Sequence, residues 1–300
     1  MTYQSVFKRY EKKYLITRSQ YALLVPRLEK HMEPDGFGRH TIANLYYDTD
    51  DFRLIRRSLD KPVYKEKLRL RGYADSLAEG KVFLELKKKY KGEVFKRRIA
   101  LSVGEAMRYM NENIPPHADS QILREIDWFR RMNDVSARVM IAYERLAWLG
   151  KESTELRVTF DDGIRFRADR LDLGKGFDGE GLLPEDMVLM EIKIPGSMPL
   201  WMSAALCELE IFGIPFSKYG FCYQNFILND GKEQNHAQQY SFADQHDFAF
   251  DNGVSPVQRG VTRAGDCCGA FVHVQEHCLK TIRLHSGWAS ARCAGGYHAG

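Results

Sequence analysis

Charged residues recur at every second position in the stretch KEKLRLRGY, which begins at Lys65. Because successive side chains of a β-strand point to opposite faces, four cations would share one face of a strand there and leucines the other. The four cations are Lys65, Lys67, Arg69 and Arg71. A row of lysine and arginine side chains is suited to bind an anion, since both groups donate charge-assisted hydrogen bonds to phosphate or carboxylate oxygens.

The next stretch, KVFLELKKKYKGEVFKRRIAL, repeats this alternation. Glu85, Lys87 and Lys89 would lie on one face of a second strand, opposite the apolar residues Val82 and Leu84. An ordinary half-buried sheet with its charges in water gives the same pattern. Two strands therefore do not decide between a solvated face and a binding face.

Three more strands carry charges of both signs on one face. These are Arg9, Glu11 and Lys13 in the first strand, Arg157, Thr159 and Asp161 in a late one, and Glu191 with Lys193 in the last. Two arrangements fit: a sheet with its charged face in water, or a closed barrel with a charged interior and helices outside. The carboxylates among the cations favour the barrel, because a site for phosphates and a divalent ion needs carboxylates for the metal and cations for the phosphate oxygens. A solvated face can also carry charges of both signs, so the pattern alone leaves both arrangements open.

Composition limits the possible classes of protein. The chain has 300 residues with 44% hydrophobic content, and its net charge of +4 is mild, although Lys and Arg are dense between residues 61 and 98. The six cysteines all follow residue 200 and form no secreted framework, so we expect a cytoplasmic protein. The chain shows neither a signal peptide nor a membrane span, so membrane association would need a membrane-protein partner. No aromatic stacking platform interleaves with the cations, which disfavours nucleic acid as a partner.

The order of predicted elements indicates an α+β domain over residues 1–231. Its first strand precedes a helix that begins near Thr17, and Ser102 with Glu105 has the capping-box spacing of a second helix start. A later apolar helix is predicted from Ser197 to Gly213. Residues 232–300 show little periodicity, and we expect a disordered or weakly structured tail. The Cys and His residues of the tail lack paired zinc-ligand spacing, which disfavours a metal site there.

Seven fragments in order resemble the catalytic domain of the vacuolar transporter chaperone (VTC) polyphosphate polymerases and their bacterial relatives, within the triphosphate tunnel metalloenzyme (CYTH-like) superfamily. The fragments are RYEKKY, LYYDT, KLRLR, FLELKKK, LRVTFD, LMEIKIPG and PFSKYG, and the resemblance spans about residues 5–228. The resemblance implies a closed eight-stranded antiparallel β tunnel with flanking helices. The charged strand faces would then line the tunnel. Arg9 stands where the wider superfamily has the first Glu of an ExExK pattern, which fits the VTC branch.

The resemblance also implies a role for each matching residue. The phosphate-binding catalytic cations would be Lys13, Arg69, Arg71, Lys87, Arg157, Lys193 and Lys218, with Arg9, Glu85, Arg98 and Arg145 as further lining residues. Glu191 would hold the divalent metal, Mn²⁺ or Mg²⁺, and Glu11 would assist it.

The activity implied is transfer of the terminal phosphoryl group of ATP onto a growing polyphosphate chain. Phosphoryl transfer needs charge neutralisation and in-line positioning more than a protein nucleophile, which a cage of Lys and Arg with a metal supplies. Two alternatives stay open. Water as acceptor would make the same cage a triphosphatase, and a polyphosphate-binding protein without catalysis would need the cations but not Glu191.

Overall fold

The fold is an antiparallel β-sheet with helices, seen in a computed structural model that describes residues 10–74, 77, 79–91, 93–117 and 119–230. Arg9 and the predicted tail lie outside the described residues. The strands are β1 (Tyr10–Thr17), β2 (Met32–Pro34), β3 (His40–Asp48), β4 (Tyr64–Tyr73), β5 (Lys81–Tyr90), β6 (Glu93–Ser102), β7 (Ser136–Gly150), β8 (Arg157–Arg167), β9 (Glu180–Gly181) and β10 (Met187–Ile194). The helices are α1 (Arg18–Leu28), α2 (Arg53–Leu59), α3 (Val103–Glu112), α4 (Gln121–Asn133), α5 (Leu200–Glu208) and α6 (Lys218–Cys222).

Two predicted helix starts are confirmed by their caps. Thr17 and Gln20 form a reciprocal capping box at α1, and Ser102 and Glu105 do the same at α3, which satisfies backbone N–H groups that have no partner within the helix. The apolar helix predicted over residues 197–213 is shorter. It begins at Leu200 after Pro199 and ends at Glu208, and residues 209–213 turn back towards β1 instead.

Eight strands form a continuous antiparallel path in the order β1-β10-β8-β7-β3-β4-β5-β6. The sheet has ten strands rather than the predicted eight, because the short β2 and β9 pair with β7 and β8 beside this path. The predicted closure is also not seen: within the described ranges, no hydrogen-bonded pairing joins β6 to β1. The sheet is nevertheless curved, since Glu11 on the first strand of the path lies close enough to Lys87 on the seventh to influence its pKa.

The main apolar cores lie between one face of the sheet and the helices. One cluster packs β3, β4, β5 and β7 on α3 and α4, and it includes Leu68, Leu70 and Phe129. A second cluster packs β1, β8 and β10 on α1 and α5, and it includes Met190 and Met202. Full burial of a leucine side chain such as Leu68 or Leu70 stabilises the fold by about 1.5–3 kcal/mol relative to leaving it exposed. The apolar alternation of these strands therefore fixes which face turns away from the helices.

On that other, inward face the residues change from charged to apolar along single strands. Along β8, Thr159 and Asp161 give way to Ile164 and Phe166, after a register shift opposite Ala142 to Glu144 on β7. The inward residues of β7 and β10 change in the same sense, from Arg145 to Val139 and from Lys193 to Leu189. The interior thus has a polar end and an apolar end.

Residues 213–227, which we call the plug segment, occupy the apolar end. The segment first pairs with the free edge of β1, where the Ile214 N–H donates to the Lys13 carbonyl at 2.8 Å. It then forms α6 and a π-helical turn (Tyr223–Ile227), and Tyr219, Cys222 and Tyr223 pack in the inward apolar cluster. The plug segment therefore covers part of the β1 edge that the predicted closed tunnel would pair with another strand.

No helix within the described ranges is long and apolar enough to cross a bilayer.

Candidate active site

Lys13 and Glu191 form the centre of the polar end. They face each other in the β1–β10 register, and Lys13 Nζ lies 3.4 Å from Glu191 Oε1 and 3.5 Å from Glu11 Oε1. The Lys13 ammonium also donates to the Phe216 carbonyl of the plug segment at 3.0 Å. Burial lowers the pKa of Lys13, but Glu191 and Glu11 outweigh it, so the pKa lies above its ordinary value. Lys13 is a firmly charged lysine held between two carboxylates.

Glu191 is the buried carboxylate on which three cations converge. Besides Lys13, Lys218 Nζ lies 3.8 Å from Oε1 and Arg145 Nη2 lies 3.9 Å from Oε2. Burial raises the pKa of Glu191, yet Lys13, Lys218 and Arg145 hold it well below the ordinary range. Glu191 is therefore ionised and can bind a metal ion.

Asp161 is a second buried carboxylate, and it holds two of those cations in place. Arg145 donates to it through Nε at 2.6 Å and Nη2 at 2.7 Å, and Lys218 Nζ donates to Oδ2 at 2.5 Å. Burial raises the pKa of Asp161, but Lys218 and Arg145 lower it by more. Arg145 and Lys218 thus have their positions fixed before any ligand arrives, which reduces the cost of binding one.

Arg69 and Arg98 meet at Glu85 on the other side of the interior. Arg69 Nη2 lies 2.7 Å from Glu85 Oε2, while Lys96 Nζ and Arg98 Nε lie 2.7 and 3.1 Å from Oε1. Burial alone would raise the pKa of Glu85, but Arg69, Arg71 and Lys96 bring it down to about 2. Glu85 therefore acts as a buried anchor for cations in the structure, and each of these cations keeps donors free for a further anion.

Arg71 lies in the interior and contacts two polar groups. Its Nε donates to Asn44 Oδ1 at 2.8 Å and its Nη2 to the Tyr143 hydroxyl at 3.3 Å. The Tyr143 ring lies 4.3 Å from Lys218 Nζ and 5.3 Å from the Arg145 guanidinium carbon. Burial raises the pKa of Tyr143, but Arg71, Arg145 and Lys218 lower it to about 8. A surplus of positive charge thus extends across the interior.

Lys67 and Lys87 lie opposite each other on β4 and β5 and belong to the same cage. Lys67 Nζ donates to Ser217 Oγ of the plug segment at 3.0 Å. Burial, with Lys13, Lys65, Lys87 and Arg69 nearby, lowers the pKa of Lys67 to about 7. Burial also lowers the pKa of Lys87, and Glu11 offsets this only in part. Within the described part of the chain, Lys67 and Lys87 have no carboxylate as close as those beside Lys13, and an anion would supply that charge.

Lys193, Glu11 and Arg157 lie at the outer margin of the polar end. Lys193 is opposite both Glu11 and Arg157 in the register of the sheet, and burial lowers its pKa. The Arg157 Nη2 donates to Asp35 Oδ2 at 3.0 Å, so this predicted ligand is already paired with a carboxylate from outside the cage. Burial and Glu191 raise the pKa of Glu11, but Lys87, Lys13 and Lys193 bring it below its ordinary value.

The donor set fits a hard divalent ion that arrives with phosphate. Glu11 and Glu191 both approach Lys13, whereas the described residues contain no group of three or more His, Cys, Asp or Glu side chains able to hold a metal ion. Mg²⁺ is commonly held by one or two carboxylates together with phosphate oxygens and water. Glu191 and Glu11 would therefore supply the protein ligands.

The structure brings together most of the predicted site residues. Those that meet around the interior are Lys13, Arg69, Arg71, Lys87, Lys193, Lys218, Glu85, Arg98, Arg145, Glu191 and Glu11. The prediction omitted Lys67, Lys96, Asp161 and Tyr143, although Lys67 and Asp161 had been placed on the charged strand faces. The β4 alternation alone was a sufficient signal for Lys67. The available signal for Tyr143 was Arg145, a predicted lining residue that lies two positions later on the same face of β7.

Three solved structures are similar to this chain at low sequence identity. A candidate adenylate cyclase from Bacillus halodurans is 16% identical over 72% of this chain and 95% of its own, with a TM-score of 0.45. One from Vibrio parahaemolyticus is 11% identical over 73% and 98%, with a TM-score of 0.40. HpAC1 from Hippeastrum, a candidate adenylyl cyclase reported to have a dominant triphosphatase activity, is 18% identical over 71% and 94%, with a TM-score of 0.44. These similarities are too distant to bear on the reaction of this chain.

A search of the curated proteins finds no match. The family model of the VTC domain, by contrast, matches residues 8–227, which include β1 and the plug segment. The resemblance noted from seven sequence fragments is thereby confirmed, and the chain belongs to the VTC domain family.

Proposed function

We propose that this protein transfers the terminal phosphoryl group of ATP onto the end of a polyphosphate chain and releases ADP. The observation that carries the proposal is the convergence of Lys13, Lys218 and Arg145 on one buried, ionised carboxylate, Glu191. A protein that only binds polyanions would lose affinity from such a carboxylate, because it repels the ligand. A site for phosphates with a divalent ion needs it.

The chain's own residues would bind and orient the reacting phosphates. Arg69 and Arg71 would each hold phosphate oxygens through guanidinium donors that their present partners leave free, and Lys67 and Lys87 would neutralise the charge of adjacent phosphates. The attacking oxygen of the acceptor phosphate forms the new P–O bond while the bond between the β- and γ-phosphates breaks. The cations that surround the transferred group stabilise the charge that develops on its oxygens.

Mn²⁺ or Mg²⁺ held by Glu191, with Glu11, would supply further charge neutralisation on the phosphate oxygens. Asp161 would keep Arg145 and Lys218 oriented towards the same place, because it accepts hydrogen bonds from both. The curved inward face would serve as the tunnel in which the phosphates lie, and this use of the interior is part of the proposal.

The test is incubation of purified protein with ATP and Mn²⁺, with separate assays for polymer, ADP and free phosphate. Polymer that accumulates in step with ADP supports the proposal. Free phosphate in step with ADP, without polymer, would show that water is the acceptor and that the protein is a triphosphatase. Tight binding of polyphosphate with no product of either kind would leave a binding protein.

A further inference from the structure

Asp48, the last residue of β3, is a fully buried carboxylate outside the phosphate cage, and besides a long hydrogen bond of 3.4 Å from the Thr49 hydroxyl it has four donors. Three are backbone N–H groups, from Thr49 at 2.8 Å, Leu54 at 2.9 Å and Ile55 at 3.0 Å. Asp48 thereby caps the start of α2, which has no side-chain cap of its own. The fourth donor is the hydroxyl of Tyr219 at 3.0 Å, which belongs to the plug segment.

Tyr219 is buried, and its ring stacks on the ring of Tyr46, with centroids 4.7 Å apart and an angle of 19° between planes. The next residue, Gly220, packs so closely on α2 that a β-carbon there would lie 3.0 Å from Leu59 Cδ2. The residue before Tyr219 is Lys218, whose ammonium reaches Asp161 and Glu191 in the cage. The anchor on Asp48 and the cation in the cage are thus adjacent in sequence.

We propose that Asp48 and Tyr219 are positioning residues that hold Lys218 in the phosphate cage. Lys218 is the first residue of a helical run that continues from α6 through the π-helical turn to Asp230, and the backbone N–H groups of the first turn of a helix have no partner within the helix. Asp161 holds the Lys218 ammonium, and the Asp48–Tyr219 hydrogen bond holds the backbone of this first turn from the β3–α2 junction. A displacement of about 1 Å of a group that must meet a phosphate is enough to reduce its effect strongly.

This inference rests on the proposed function, in which Lys218 binds phosphate. The experiment is a double-mutant cycle with Tyr219→Phe and Lys218→Met, read as the affinity for inorganic tripolyphosphate by calorimetry in metal-free buffer. Tyr219→Phe should weaken binding roughly fivefold, the value of one ordinary hydrogen bond. In the Lys218→Met background the same change should weaken binding no further, because the group that it positions is gone.

The matched control is Tyr47→Phe. It removes the hydroxyl of a neighbouring buried tyrosine, and that hydroxyl has no hydrogen-bond partner within the described part of the chain. It should leave the affinity unchanged. Asp48→Asn should reproduce the effect of Tyr219→Phe on affinity and should also lower the melting temperature, because Asp48 caps α2 as well.

A second readout follows Lys218 directly. Pulse acetylation followed by mass spectrometry should show slow modification of the buried Lys218 in wild-type protein and several-fold faster modification in Tyr219→Phe protein. The exposed Lys151 should react equally in both. Unchanged reactivity of Lys218, or an equal loss of affinity in both backgrounds of the cycle, would overturn the positioning role. Wild-type protein that does not bind tripolyphosphate would contradict the proposed function instead, and the acetylation result would still decide whether Tyr219 holds Lys218.

Discussion

Lys13 and Lys67 point into the same interior, yet their pKa values shift in opposite directions. Lys13 lies between Glu191 and Glu11, and these carboxylates raise its pKa although burial opposes them. Lys67 has other cations as its main neighbours, and burial brings its pKa to about 7. The part of the cage around Glu191 is therefore compensated before a ligand binds, whereas the part around Lys67 and Lys87 is not.

This difference assigns separate tasks to the two parts of the cage. We call the first the carboxylate side, formed by Lys13, Arg145, Asp161, Glu191 and Lys218, and the second the lysine side, formed by Lys67 and Lys87. An anion gains most where positive charge is uncompensated, so phosphate groups should bind on the lysine side even without metal. A divalent cation gains the most binding energy beside the negative charge of Glu191. Turnover needs both sides, whereas binding of triphosphate alone needs the lysine side, the arginines and Lys218 but not Glu191.

The largest effect is expected on the carboxylate side, from Glu191→Gln. The change keeps the shape and removes the negative charge, so metal-dependent turnover should fall by roughly a hundredfold or more. Binding of tripolyphosphate without metal should survive or tighten, because an anion beside the ligand is gone. Steady-state assays over a Mn²⁺ titration, with calorimetry in metal-free buffer, measure both quantities. Glu180→Gln, on the exposed β9, is the matched control. Equal metal dependence of wild-type and Glu191→Gln protein would rule out a metal role for Glu191.

The next largest effect should come from Arg69→Ala combined with Arg71→Ala. Each guanidinium is expected to give charge-assisted hydrogen bonds of about 1.5–3 kcal/mol, so tripolyphosphate affinity should fall by at least about two orders of magnitude. The protein should stay folded, because Lys96 and Arg98 still compensate Glu85. The control pair Arg124→Ala and Arg131→Ala removes two exposed arginines of α4. Unchanged affinity by calorimetry would show that Arg69 and Arg71 do not contact phosphate.

A smaller effect, on the lysine side, concerns pH. Lys67 has a pKa of about 7 in the free protein, and a bound anion favours its charged form. Binding should therefore take up a proton above pH 7, and affinity should fall as the pH rises from 7 towards 9. Calorimetry at pH 8 in two buffers of different ionisation enthalpy measures this uptake. Lys67→Met protein should take up fewer protons than wild type, and an equal number in both would refute the assignment to Lys67.

The lowered pKa of Lys67 also predicts how the stability of the folded protein changes with pH. The folded-state pKa of Lys67 lies below its unfolded value of about 10.4, so the folded protein disfavours the charged form. The resulting cost to stability is full below pH 7 and disappears as the pH rises towards the unfolded value. Lys67→Met should accordingly raise the melting temperature more at pH 6 than at pH 9. The opposite trend in thermal unfolding would show that Lys67 gains a compensating partner in the fold.

The smallest effect is expected from truncation after residue 231. Both sides of the cage as defined consist of residues that precede the truncation, as do the residues of the described chain on which Tyr219, Cys222 and Tyr223 pack. The melting temperature and the turnover of the shortened protein should stay close to those of the full chain. Loss of soluble expression on truncation would show that the tail contributes to the fold.

The sequence predicts which residues share a strand face, because alternation depends only on the period of two. It does not predict which residues face each other across strands. That Arg69 stands opposite Glu85, and Lys67 opposite Lys87, depends on register, which a single sequence does not determine. The difference between the two sides of the cage depends on these pairings and therefore could not be predicted from the sequence.

Two departures from regular strands limit what alternation predicts. Alternation from Arg157 and Thr159 correctly places Asp161 on the charged face, while Asp162 pairs with Arg39. The register shift between β7 and β8 follows Asp162, and alternation does not predict that Ile164 and Phe166 then face inwards. Likewise, the plug segment has no strand period, so Lys218 could be identified only through the resemblance of SKYG. The contact of Lys218 with Asp161 and the contact of Tyr219 with Asp48 both come from tertiary packing.

The change from charged to apolar residues along the inside of β8 sets a direction for any bound polymer. A phosphate group that moved past Ile164 and Phe166 would lose its water among apolar side chains, and the desolvation of a charge costs several kcal/mol. The plug segment fills this region as well. For the proposed reaction, the growing chain and the incoming nucleotide would therefore both pass through the polar end, where Glu11 and Lys193 lie, because the plug segment occupies the apolar end.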